Sequence, residues 1–148
     1  MIKFALASRA PRVLAGYDWP ALGKTMGRHL KLRHLSSVGL KFVSAVEMRQ
    51  LNRAYRQADR PTDVLSFEAA EVPGKVANPD YLGDIVICPS YAQAEAKRQQ
   101  VDVKEELLRL VVHGVLHLCG YDHCTPKQEA KMFKLQEQLV MKHVARNT

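Results

Sequence analysis

The stretch Leu110–Thr125 reads L-V-V-H-G-V-L-H-L-C-G-Y-D-H-C-T. Leu110, Val111, Val112, Val115, Leu116 and Leu118 make its first half apolar nearly all round, as expected of a helix buried against other elements. Residues four apart on a helix share a face, so His113 and His117 are neighbours. Gly120 ends the helix, because glycine takes the left-handed conformation at a helix C-terminus without steric cost. The chain can then turn and return His123 to the same point. Three neutral imidazoles with a fourth position left for water form the donor set of a catalytic zinc site, whereas structural sites use four protein ligands. A buried ionisable pair needs a partner, and a metal ion serves. The plainer alternative is a cluster of structural histidines, the ordinary reading of a lone histidine on an apolar helix.

The offsets of His113, His117, Gly120 and His123 match the metzincin pattern H-E-x-x-H-x-x-G-x-x-H. In those proteases the Glu after the first His is the general base. Here that position is Gly114, which cannot accept a proton from water. The pattern therefore indicates a metal site and argues against a peptidase of that type, leaving a metallohydrolase on a small or peptide substrate as a separate hypothesis. Cys119 falls off the shared histidine face. Cys124, beside His123, is a weaker candidate ligand, because adjacent residues rarely point at one ion.

Outward from this stretch, the chain of 148 residues fits one domain, 1–148. A hydrophobic content of 47% and a charged content of 25% are those of a globular protein. It contains no apolar run long enough for a membrane span. The N-terminus is interrupted too early by Arg9 and Arg12 for a signal peptide. A cytoplasmic protein with no membrane partner is expected. Cys88, Cys119 and Cys124 are too few for a disulfide framework. The net charge of +7 is unevenly spread: residues 1–60 hold twelve Lys or Arg against three Asp or Glu, and the remainder is slightly acidic. A basic half favours a polyanionic partner, commonly nucleic acid. A solvated basic surface would look the same.

Ile2–Ser8 alternates loosely and reads as a strand, followed by a loop from Pro11 to Pro20. Leu22, Met26, Leu30 and Leu32 or Leu35 then recur at helical spacing, with Lys24, Arg28, Lys31, Arg33 and His34 as a basic face. Ser37–Val46 reads as a strand, with Gly39 a possible bulge. Met48, Leu51 and Tyr55 mark a helix over Glu47–Tyr55. Pro61 makes a turn of Asp59–Thr62, and Val64–Phe67 enters a strand. Pro73, Gly74, Asn78 and Pro79 mark an exposed loop between Glu68 and Tyr81. Gly83–Cys88 is a strand. A helix follows, opened by a capping box of Ser90 and Gln93. Asp102 caps the histidine helix. Thr125-Pro126 reads as cap and first residue of a last helix reaching about His143, with Met132, Leu135, Leu139 and Val140 on its apolar face. This order of elements gives an α+β fold: one mixed β-sheet with helices packed on it.

H-G-V-L-H-L-C-G-Y-D-H resembles the signature H-G-x-L-H-L-x-G-Y-D-H of the YbeY family of metal-dependent endoribonucleases. Leu51–Phe67, L-N-R-A-Y-R-Q-A-D-R-P-T-D-V-L-S-F, resembles that family's second signature, and Leu82–Ile87 resembles its L-G-D-I-x-I segment. The likeness runs from about Glu47 onward. It implies a histidine helix lining a cleft, one zinc ion on His113, His117 and His123, and Arg56 as a catalytic residue. A guanidinium stays charged and grips two phosphate oxygens; without the resemblance, Arg56 reads as an ion-pair partner of Asp59 or Asp63. The resemblance also places Leu82–Ile87 at the sheet edge, with Asp84 accepting a hydrogen bond in a structural role. Family members often carry glutamates where this chain has Phe133 and Gln136; the departure at both weakens the link of the last helix to function, while Glu129 and Glu137 remain.

The implied activity is single-strand-specific endonucleolytic processing of the 3′ end of 16S ribosomal RNA, with a role in ribosome quality control. The implied partners are ribosomal RNA, the small ribosomal subunit, ribosomal proteins and an assembly GTPase. No general base is visible; Asp122 reads as a carboxylate that orients a ligand. The alternative is a ribosome-assembly binding factor with a structural metal and little nuclease activity.

Overall fold

The computed structural model describes residues 1–72 and 80–146. One four-stranded mixed sheet is built from β1 (Ile2–Leu6), β2 (Ser36–Phe42), β3 (Val64–Glu68) and β4 (Tyr81–Ile87) in the order β1-β2-β4-β3. β1 and β2 are parallel, as are β2 and β4, while β3 runs antiparallel to β4. Among the described residues five α-helices accompany it: α1 (Trp19–His29), α2 (Ala45–Arg56), α3 (Pro89–Gln99), α4 (Val103–Leu118) and α5 (Pro126–Arg146). The architecture is the α+β arrangement that the sequence indicates. The loop expected around Pro73, Gly74, Asn78 and Pro79 lies outside the described residues.

Alternation decides which side of the sheet each residue serves. Val38, Leu40 and Phe42 of β2 point with Ile85 and Ile87 of β4 into the larger core, under Leu22 and Met26 of α1, the apolar face of α4, and Met132, Leu139 and Val140 of α5. Leu65 and Phe67 of β3 and Val86 of β4 point the other way and pack with Met48 of α2. Most of α4 is thus buried between sheet and helix, as its all-round apolar pattern requires.

Several boundaries differ from the sequence reading for local reasons. α1 begins under an Asp18 side-chain cap and stops at His29, with Lys31 in a left-handed conformation. Lys31, Arg33 and His34 therefore leave the helix, and no single basic helical face forms. Leu35 is 57% exposed, so only Leu22 and Met26 anchor α1 fully. β2 ends at Phe42 because Ser44 caps α2 by accepting from the Glu47 amide. The register irregularity lies at Ser37/Val38 and not at Gly39. β4 is an interior strand, flanked by β2 and β3, because both of its neighbours pair with it. The expected edge position is therefore incorrect, although Asp84 does accept a hydrogen bond, from the Tyr81 hydroxyl. α3 opens one residue earlier than expected: Pro89 takes the first turn and Cys88 the cap position, so Ser90 forms no capping box. α5 does have one, between Thr125 and Gln128.

Replacing Leu22 by Ala is expected to lower unfolding free energy by about 2–5 kcal/mol. Leu35→Ala, at the position that sequence spacing alone leaves as an equal candidate, changes it by less than about 0.5 kcal/mol. Urea titration of both variants checks this.

Candidate metal centre

α4 carries His113 and His117 one turn apart, and their ring centroids are 4.6 Å from each other. The helix is closed at Cys119 and turned at Gly120, whose φ of 95° lies in the region that glycine favours. The chain then brings His123 to within 5.0 Å of His117 and 6.1 Å of His113, centroid to centroid. One ring nitrogen from each histidine lies within 4.8 Å of the other two. This is the convergence that the spacing implies, and among the described residues it is the one such group of candidate ligands.

The donor set fits a divalent ion such as zinc. A metal requires neutral imidazole. Burial, reinforced by the neighbouring His113 and His123, holds His117 below the ordinary histidine pKa. The Nδ1 of His113 is 2.8 Å from Oε1 of Gln136, which leaves its Nε2 for a ligand bond. Cys124 is excluded from the group: its thiol donates to Asp122 at 3.0 Å, and that bond raises its pKa. Burial raises the Cys119 thiol as well. All three cysteines are free. Asp122 accepts from Cys124 and from the His123 amide at 2.7 Å, so it shapes the loop backbone rather than holding an imidazole.

Gly114 acquires a physical reason. A Cβ there would lie 2.9–3.0 Å from the side chain of Ile85, which is fully buried. The position points into the sheet and not toward the histidines' opening. A glutamate at 114 could not act as a base without lifting α4 off β4.

A cleft of about 280 Å³ beside the site is lined by His113, His123, Glu129, Met132, Phe133 and Gln136. α5 thus forms one wall, including Phe133 and Gln136, the two positions at which the chain departs from the family pattern. Sequence reasoning missed Gln136, which is 93% buried. Its polar identity at a position one turn from Met132 and Leu139 on the helix's buried face was the available signal.

Arg56 does not line this cleft. Phe67 and Asp84 pair across β3 and β4, as do Ser66 and Ile85, so Phe67 and Ile85 face opposite sides of the sheet. Ile85 faces α4, whereas the Arg56 guanidinium lies 4.9 Å above the Phe67 ring on the α2 side. Arg56 donates to Glu71 at 2.8 Å and to the Ser66 carbonyl at 2.7 Å. Its ion-pair partner is therefore Glu71; Asp59 is taken by a two-pronged contact from Arg49. Residues next to the two groups nonetheless approach each other at Gly83, where an added Cβ would meet both Leu118 and the Phe67 carbonyl.

A family model described as Endoribonuclease YbeY matches residues 21–144. The chain belongs to the YbeY family. A relative from Nostoc sp., named Endoribonuclease YbeY, is 43% identical over 109 residues, which are 70% of this chain and 58% of that one. One from Beutenbergia cavernae with the same name is 33% identical over 144 residues, 95% of this chain and 96% of the relative. The solution structure of TM1509 from Thermotoga maritima superposes with a TM-score of 0.66 at 30% identity, covering 99% of this chain and 91% of that one. Among the described residues, no helix is long and apolar enough to cross a membrane.

Two outcomes are expected. Gly114→Glu costs about 3 kcal/mol or more in unfolding free energy, because it forces a carboxylate against Ile85; denaturant titration of metal-free protein measures it. The lowered pKa of His117 means that the unfolded chain takes up its proton first on acidification. The associated stability is complete above the unfolded value of 6.5 and declines below it. His117→Gln flattens this decline in thermal melts of metal-free protein between pH 7 and pH 5.

Proposed function

We propose that this chain is a metal-dependent endoribonuclease acting on single-stranded ribosomal RNA, with the 3′ end of the 16S species as its substrate. The single observation that carries the reading is the convergence of His113, His117 and His123 beside an open cleft, in a chain whose relatives bear the name Endoribonuclease YbeY. The whole chain acts as one metallohydrolase domain, in the cytoplasm, on the small ribosomal subunit, with ribosomal proteins and an assembly GTPase as further partners.

His113, His117 and His123 would hold one zinc ion. Bound there, the ion supplies Lewis-acid charge for a phosphoryl oxygen and an acidified water as nucleophile. The burial of α4 keeps the imidazoles of His113 and His117 in place and water partly excluded. Arg56 would bind an RNA phosphate in exchange for Glu71, which is a carboxylate partner of comparable geometry. Its stacking on Phe67 keeps the guanidinium plane at the β3 edge while that exchange occurs. The exposed cations of the N-terminal half, among them Arg9, Arg12, Lys24, Arg28 and Arg33, would supply salt-sensitive affinity for the backbone. The position of Gly114 against the sheet removes the glutamate base on which the peptidase reading depends.

Purified protein should cut a ribosomal RNA fragment with a single-stranded 3′ extension. Chelator and His117→Ala should each reduce the rate by about 100-fold or more, and Arg56→Ala by about 10²–10³-fold. Casein should remain intact. Equal cutting by all four samples would mark a contaminating nuclease. Absence of cutting by zinc-loaded wild type would transfer the function to an assembly factor with a structural metal.

A further inference from the structure

The polar contact of His113 does not end at Gln136. The Gln136 amide Nε2 donates to Oε2 of Glu137 at 3.2 Å. Glu137 receives both Nε and Nη2 of Arg109 at 2.9 Å. Arg109 in turn reaches Glu106 at 3.0 Å and Glu105 at 3.7 Å. This chain joins α4 to α5 on largely buried atoms: Arg109 is 19% exposed and Glu106 6%.

Each link has a donor and acceptor sense. Arg109 has donors only, and an ionised carboxylate only accepts. Burial raises the affinity of Glu137 for a proton, but the bonds from Arg109 and Gln136 outweigh it and hold Glu137 below the usual glutamate range. Glu137 therefore faces Gln136 as an acceptor, and only the amide NH₂ can meet it. The amide oxygen is then forced toward His113. An oxygen there accepts a hydrogen, so Nδ1 of His113 must carry the proton and Nε2 the lone pair.

We propose that Glu137, acting through Gln136, is a positioning element that sets the tautomer of His113 and so prepares its Nε2 to ligate a metal. Glu137 does not line the cleft, and Gln136, which does, acts here through its contact with His113. The inference rests on the three histidines being a metal site. It assigns to α5 the task of holding a ligand in its binding form before metal arrives. An amide has a wrong orientation available and a carboxylate does not. The charge on Glu137 is therefore needed because position 136 is Gln.

The test has two readouts that do not depend on RNA cleavage. The first is the ¹⁵N NMR signature of the His113 ring in metal-free protein. The second is zinc affinity by competition with a chromophoric chelator. Wild type should show the Nδ1–H tautomer. Glu137→Gln removes the constraint on the amide; it should give mixed tautomers and about 10-fold weaker zinc binding, within the range for partners of metal ligands. Gln136→Met, which leaves the Arg109–Glu137 pair intact, should do the same even if Glu137→Gln does not fold. The decisive arm is the double variant Gln136→Glu/Glu137→Gln. A carboxylate at 136 accepts from Nδ1 in either orientation, so tautomer and affinity should return to wild-type values. Unchanged tautomer and affinity in Gln136→Met, or a folded double variant that does not recover, would overturn the proposal. Failure of the wild type to bind zinc would instead remove the metal reading, and the NMR arm would still decide whether Glu137 sets the tautomer.

Discussion

Helix α4 rests directly on strand β4 because residue 114 has no side chain, and the histidine cluster depends on that contact. A Cβ at Gly114 would press on Ile85, a fully buried core residue. With the helix seated, its rotation is determined: Leu107, Val111 and Val115 enter the core, and His113 and His117 are left at the margin with their rings edge to face. The same contact excludes the glutamate that the metzincin spacing calls for. The departure from that pattern at one residue is thus a packing requirement, with a chemical consequence.

The sheet divides the chemistry between its two faces. The histidines belong to the α4 face and Arg56 to the α2 face, separated by β3 and β4. Leu118 from the first face and the Phe67 carbonyl of β3 both lie beside Gly83, at one end of the sheet. An RNA strand that engaged both would have to wrap the β3 edge. An extended single strand can follow such a path, whereas a stiff duplex bends there only at considerable cost. This geometry is compatible with the single-stranded substrate proposed for the site.

Helix α5 illustrates how a departure from a family pattern can mislead. A glutamine in place of glutamate at 136 looks like a lost function when only residue types are compared. In the folded chain Gln136 is buried against His113 and oriented by Glu137, which is anchored by Arg109 from α4. The residue remains in the site through a different hydrogen-bonding sense, carried by a neighbour that no local pattern connects to it.

Much of this protein was legible in the chain itself. Periodicity fixes which way a helix or strand faces, so α5 and β2 could be placed from Met132 and Val38, and the all-round apolar pattern of α4 marks that helix as buried. Ligand spacing within one helix turn and a glycine exit are local, so the histidine triad could be read as well. Local signals also erred where two were in competition: leucine spacing ran on to Leu35, although the backbone leaves the helix at Lys31. Strand order, the partner of Arg56 and the orientation of Gln136 are different in kind. They join residues 15 to 45 positions apart, such as Arg56 with Glu71 and Val38 with Gly83. Hydrogen-bond direction and sheet pairing between distant segments are settled only when burial brings their donors and acceptors together, so the tertiary structure alone decided them.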